Sequence, residues 1–130
     1  MKSHRKTLLA VVVVLAAAGA IAQAPGIKRT ILQKGDAPAA ERDVVLAKAE
    51  IAPGGATGRH THPGPETGYV LEGSTVLEID GQAPLALKPG DSYFIPAGTV
   101  HNAKDVGDKP AVVLATYVVE KGKPLASPAP

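Results

Sequence analysis

Gly54-Gly55-Ala56-Thr57-Gly58-Arg59-His60-Thr61-His62-Pro63-Gly64-Pro65-Glu66-Thr67-Gly68-Tyr69-Val70-Leu71-Glu72-Gly73 sets two histidines one residue apart, a glutamate beyond a Pro-Gly-Pro turn, and glycines at both ends. On an extended strand, side chains two apart share a face, so His60 and His62 project together and Thr61 faces away. That is the simplest strand geometry for holding two imidazoles on one ion. Glu66 can return on a neighbouring strand to close a third position. A later cluster, Gly90, Pro96, Gly98 and His101, brings one more imidazole. Three imidazoles and a carboxylate suffice to ligate a divalent transition metal: imidazole nitrogen suits Fe, Ni, Cu and Zn, and carboxylate oxygen extends the choice to Mn.

Outward from this stretch the pattern stays β-like. From Ile27 to Glu120 short runs rich in Val, Ile, Leu and Thr are broken by Gly, Pro and Asp every ten or so residues, as in an all-β sandwich or barrel. Strands are expected at Lys28 to Gln33, Val44 to Ile51, Gly58 to His62, Thr67 to Glu72, Thr75 to Asp80, Leu85 to Lys88, Ser92 to Ile95, Val100 to Asp105 and Ala111 to Val119, with no helix among them. Glu72-Gly73-Ser74 and Asp80-Gly81 read as hairpin turns. Closing such strands into a small antiparallel barrel hides their edges and creates a pocket at one mouth. The Pro-rich end, Lys121 to Pro130, shows no periodicity and is expected to be a flexible tail.

The N-terminus reads as an address. Lys2, Arg5 and Lys6 precede an apolar run from Leu8 to Ala18, and Ala20-Ile21-Ala22 offers a small-x-small cleavage site, so residues 1–22 are expected to be a signal peptide cut after Ala22. The run is too short for a spanning helix, which needs about 20 apolar residues. Periplasmic or secreted localisation follows, with the domain at residues 23–120. Cleavage would remove three of the 14 Lys and Arg and no acid, leaving 11 bases against 12 acids and a formal charge of −1. The basic balance of the whole chain thus belongs to the discarded segment, and no Lys/Arg stripe points to a nucleic acid. Of the four His only His4 lies in that segment; the other three occupy the three proposed ligand positions. With no Cys, thiolate metal sites and disulfides are excluded, and stability must come from the core and any bound metal.

Both segments resemble the two signature motifs of the cupin superfamily. Gly54, His60, His62, Glu66 and Gly73 match the first, and Gly90, Pro96, Gly98 and His101 match the second. The 16-residue spacer from Ser74 to Pro89 is similar to that of compact bacterial single-domain cupins. One departure is that Asp105 stands where the family's second motif has an Asn. The resemblance implies a small jelly-roll barrel, a divalent metal held by His60, His62, Glu66 and His101, and a homodimer.

Strand parity extends the reading past the ligands. Gly58, Gly68 and Val70 should face inward with His60 and Glu66, the glycines either leaving space beside the metal or serving turns and bulges. Arg59, Thr57, Tyr69, Tyr93 and Glu72 are the other candidates for the pocket. Parity sends Tyr69 and Arg59 outward, Glu72 inward, and Tyr93 onto the same face as Ile95. Two functions fit: a metal-dependent enzyme on a small organic substrate (dioxygenase-like, or an isomerase or decarboxylase), or a non-catalytic binder of a metal or small molecule. Fold alone does not choose between them.

Overall fold

The computed structural model describes residues 26–37 and 41–130. The expected signal peptide lies outside these residues. The described chain is all-β, with β1 at Ile27–Asp36, β2 at Arg42–Ile51, β3 at His60–Thr61, β4 at Glu66–Glu72, β5 at Thr75–Ile79, β6 at Leu85–Leu87, β7 at Ser92–Ile95, β8 at His101–Asp105, β9 at Ala111–Glu120 and β10 at Ser127–Pro128. They form two five-stranded sheets, β1-β2-β9-β4-β7 and β10-β3-β8-β5-β6, with every pairing antiparallel. This is the expected jelly-roll arrangement.

Alternation drives the packing. Along β2 and β9 every second side chain is buried: Val45, Ala47, Ala49 and Ile51 on one, and Val113, Ala115, Tyr117 and Val119 on the other. Val70, Leu77, Ile79, Leu87 and Ile95 complete a single core between the sheets. Register puts Ala47, Ala115 and Gly68 in one row across the first sheet, with Ala49 in the next. Small side chains here form a low floor, and larger polar ones rise over it.

Chain crossings between the sheets explain two departures from expectation. Glu72-Gly73-Ser74 is not a hairpin, because β4 and β5 lie in different sheets. A bulge between Val70 and Glu72 turns the strand, and Gly73, at φ 75°, passes so close to the next crossing that a Cβ would sit 2.6 Å from the Pro110 carbonyl oxygen. The same bulge breaks parity, so Glu72 points to solvent rather than inward. Asp80-Gly81 does lie between paired strands, β5 and β6. Pro63-Gly64-Pro65 also crosses between sheets, and Gly64 lies against the Val118 carbonyl where no side chain fits.

Asp105, the departure from the family motif, organises the β8–β9 turn. Its buried carboxylate accepts from the Gly107 N–H at 2.9 Å and the Ala111 N–H at 2.7 Å. Asp105→Ala would orphan both donors, so it is expected to cost at least about 1.5–3 kcal/mol. A urea midpoint unchanged from the wild type would contradict this role.

The C-terminal segment is not a loose tail. Ser127 and Pro128 pair with Thr61 and His60, the Ala129 N–H donates to the Arg59 carbonyl at 2.9 Å, and Leu125 is buried in the core. Composition pointed to a mobile end because four of its ten residues are Pro or Gly. What holds it is the unpaired edge of β3 and the apolar hole that Leu125 fills.

Candidate metal centre

His60 and His101 are direct cross-strand partners on β3 and β8, which brings their rings to a centroid separation of 4.2 Å. His62 follows β3 and shares the inward side with His60, at 4.8 Å between ring centroids. Ligand atoms of the three histidines all lie within 4.8 Å of one another, and all three residues are buried. Glu66 enters from the opposite sheet, at the start of β4. Its Oε2 lies 2.9 Å from His62 Nε2 and 3.3 Å from His101 Nε2. Two donors on one ion, each about 2.1 Å from it and at right angles, are about 3 Å apart, so these spacings suit neighbouring ligands.

Backbone carbonyls set the orientation of each ring. The Nδ1–H of His60 donates to the Gly58 carbonyl at 2.7 Å, that of His62 to the Leu125 carbonyl at 2.6 Å, and that of His101 to the Thr99 carbonyl at 2.9 Å. A carbonyl only accepts, so each Nδ1 carries the proton and each Nε2 turns a lone pair inward. Pinning of this kind is what orients imidazole ligands on metals. His62 Nε2 and Glu66 Oε2 are buried without a hydrogen-bond partner despite their closeness, because neither directs a proton at the other. Lone pairs facing a carboxylate in a dry site repel unless a cation stands between them. The residues present therefore fit a divalent metal.

Burial pulls the His60 imidazole down to about 4 against the opposing effect of the Gly58 carbonyl, with His101, His62 and Arg29 adding to the lowering. It is neutral and free to ligate near neutral pH. An unfolded histidine titrates near 6.5, so between about pH 6.5 and pH 4 the unfolded chain takes up a proton that the folded chain refuses. Stability of the chelator-treated protein is therefore expected to fall as pH drops through that window. A denaturation midpoint that is flat or rises there would contradict the burial of a neutral His60. Burial pushes the Glu66 carboxyl up; His101 and His62 would pull it down only by turning an Nε2–H or a positive charge toward it. Its other oxygen, Oε1, accepts from the Tyr93 hydroxyl at 2.8 Å.

The remaining candidates separate cleanly. Tyr93 lines the pocket; burial and then the charge on Glu66 push its hydroxyl well above the ordinary value, so it stays a donor. Thr57 also lines it, accepting from the Ala103 N–H at 3.0 Å and donating to Asn102 Oδ1 at 3.3 Å. Arg59 faces solvent in a two-pronged pair with Asp80, and Tyr69 is exposed on the outer face. Neither glycine leaves room beside the histidines. Gly58 is exposed and serves through its carbonyl, while the space over Gly68 holds the Tyr93 ring, 2.1 Å from where a Cβ would stand.

Sequence reasoning missed three residues. Arg29, on β1, reaches over the Ala49 floor and donates from Nη2 to His60 Nε2 at 3.4 Å. Tyr117, on β9 opposite Glu66, packs its ring 4.8 Å from that of His62. Leu125 supplies the His62 acceptor from the segment taken for a tail. Alternation with Ile27 and with Val113, Ala115 and Val119 would have turned Arg29 and Tyr117 inward. With these side chains in place the cavity is about 30 Å³, room for an ion and about one water.

A family model described as a cupin domain matches residues 47–117, more than half of the chain and both histidine clusters. The chain belongs to the cupin family. Curated relatives of this cupin include germin-like protein subfamily 2 member 1 of Arabidopsis thaliana, 39% identical over 79 residues that cover 57% of this chain and 36% of that protein. Dimethylsulfoniopropionate lyase DddW of Ruegeria pomeroyi is 41% identical over 63 residues, covering 48% of this chain and 41% of that one. This chain thus spans well under half the length of these relatives. Among solved structures, the polyketide cyclase RemF of Streptomyces resistomycificus aligns with a TM-score of 0.62 at 30% identity, over 78% of this chain and 70% of that one. A recombinant oxalate oxidase in complex with glycolate aligns at 0.58 and 25% identity, over 65% and 45%.

Proposed function

We propose that this cupin is an exported protein that holds one divalent transition metal through His60, His62, Glu66 and His101, and that it is a metal-dependent enzyme acting on a small organic substrate. One observation carries the metal: three Nε2 lone pairs, each fixed by a carbonyl on Nδ1, converge with an unpartnered Glu66 oxygen in a buried site. The ion would supply Lewis acidity or redox capacity beside the pocket. This chain's own residues then have distinct tasks. Carbonyls at Gly58, Thr99 and Leu125 hold the imidazoles, the Tyr93 hydroxyl holds Glu66, and the walls of Ile51, Leu77 and Val113 exclude water.

Enzymatic function is supported by similarity to proteins named as an oxalate oxidase, an oxalate decarboxylase and a dimethylsulfoniopropionate lyase. Dioxygenase-like oxidation is the first chemistry to test, isomerisation or decarboxylation the second. Oxygen uptake by metal-replete protein with enolic or phenolic substrates, lost in His101→Ala, is the expected result. The small cavity favours the second reading, a non-catalytic metal binder. Metal-replete protein that neither consumes oxygen nor converts the substrates would select it, above all with Zn as the native ion.

Two further parts of the proposal have their own tests. Export requires Gln23 as the first residue of mature protein recovered from the periplasm or medium; an intact Met1 there would exclude cleavage after Ala22. A homodimer is supported by Tyr69, Leu71 and Phe94, exposed on the outward face of β4 and β7. Phe94→Lys is expected to shift the mass in light scattering from dimer to monomer, and a wild type that is already monomeric contradicts the pairing.

A further inference from the structure

Gly68 lies mid-strand in β4 and its φ is not positive, so no backbone conformation demands a glycine there. A glycine inside a strand weakens it and marks a close approach. What approaches is Tyr93, the register partner of Gly68 on β7: a Cβ at position 68 would stand 2.1 Å from Tyr93 Cζ and 2.4 Å from both Cε1 and Oη. The ring therefore lies across the bare backbone of Gly68. Glu66 is two residues away on the same face of β4, and from this seat the Tyr93 hydroxyl donates to its Oε1 at 2.8 Å. Gly68 is the socket that lets the hydroxyl reach the carboxylate.

This seat divides the two oxygens of one buried carboxylate, which matters within the metal-binding reading just given, on which the inference rests. Oε2 faces His62 and His101 Nε2 at 2.9 and 3.3 Å without a hydrogen-bond partner, while Oε1 is engaged by Tyr93. Tyr117, opposite Glu66 on β9, also acts on this carboxylate but gives Oε2 no hydrogen bond. A carboxylate binds a cation through one oxygen or through both. With Oε1 held by a hydroxyl, Glu66 gives the ion Oε2 alone. A catalytic ion keeps a position beyond its protein ligands, and the cavity of about 30 Å³ has room beside the ion for about one water. We infer that Tyr93, seated on Gly68, is a positioning residue that keeps Glu66 a one-oxygen ligand and so reserves one place on the ion for a water. Without the hydroxyl, Oε1 is a buried charged acceptor that has lost its donor. Turning onto the ion satisfies it and expels the water.

Protein loaded with Mn(II) in heavy water tests this, read by electron-nuclear double resonance, which registers the deuterons of water bound to the ion. Wild type is expected to show one bound water. Tyr93→Phe keeps the ring in its seat and removes only the hydroxyl; it is expected to hold close to one Mn(II) per chain and to lose the water signal. Gly68→Ala keeps the hydroxyl but drives the ring from its seat, and should lose the signal likewise. Where Gly68→Ala does not fold, Tyr93→Phe decides alone. A merely structural role for Tyr93 predicts the reverse, less metal bound and the water signal intact on what remains. That result, equal water signals in wild type and Tyr93→Phe, or no bound water in the wild type overturns the role of Tyr93 and leaves the metal reading intact. Failure of the wild type to take up Mn(II) at millimolar free ion overturns both.

Discussion

His62→Ala is expected to strip the protein of its metal, leaving a metal-to-protein ratio near zero after gel filtration where the wild type holds close to one ion per chain. His62 has the shortest approach to Glu66, 2.9 Å between Nε2 and Oε2, and the firmest anchor, its Nδ1–H donating to the Leu125 carbonyl at 2.6 Å. Losing even a residue that orients a ligand lowers metal affinity about 10- to 100-fold, and losing the ligand itself costs more. Arg59→Ala is the matched control. Only three positions away in sequence, Arg59 is spent on a solvent-exposed pair with Asp80, and its removal should leave the ratio unchanged. Equal metal content in His62→Ala and wild type would remove His62 from the site.

Deleting residues 121–130 is expected to lower both the melting temperature and the metal affinity. Leu125 is buried in the common core, and truncating a buried leucine to alanine alone costs about 2–5 kcal/mol. In a domain near this size each kcal/mol shifts Tm by roughly 4–8 °C, so Leu125→Ala should lower Tm by about 10 °C or more. Deletion also removes β10 from the edge of β3 and the carbonyl that holds His62. With the ring free to turn, metal affinity should fall about 10- to 100-fold. The two variants separate the effects: Leu125→Ala keeps the backbone carbonyl, so it should lose stability with a smaller loss of affinity. Unchanged Tm in the deletion would show that the segment does not pack as described.

Much of this was legible because two local rules act strongly here. Period-two alternation in β2 and β9 and the Pro/Gly breaks located nine of the strands among the described residues, with Ser92–Ile95 placed to the residue. The H-x-H spacing put His60 and His62 on one face as a local consequence of strand parity, whereas Glu66, expected on the neighbouring strand, reaches them from the opposite sheet across the Pro63-Gly64-Pro65 crossing. Illegible parts depend on contacts distant in sequence. Glu72 turned outward because a bulge set by pairing with β9 reversed its parity. Glu72-Gly73-Ser74 has hairpin chemistry, but which sheet the next strand joins is decided by packing. The tail looked mobile because its attachment comes from the edge of β3 and a hole in the core. Arg29 escaped notice because a charged residue on an edge strand is ordinarily a solvated one, and it is the small side chain of its partner Ala49 that leaves room for it inside.

Elemental analysis of protein purified without added metal, in parallel with the His60→Ala/His62→Ala double variant, tests the metal centre most directly. Wild type should carry close to one divalent transition ion per chain, and the double variant almost none while still giving a β-rich circular dichroism spectrum. Wild type that carries no metal and takes none up, or a double variant that retains as much metal as the wild type, would contradict it.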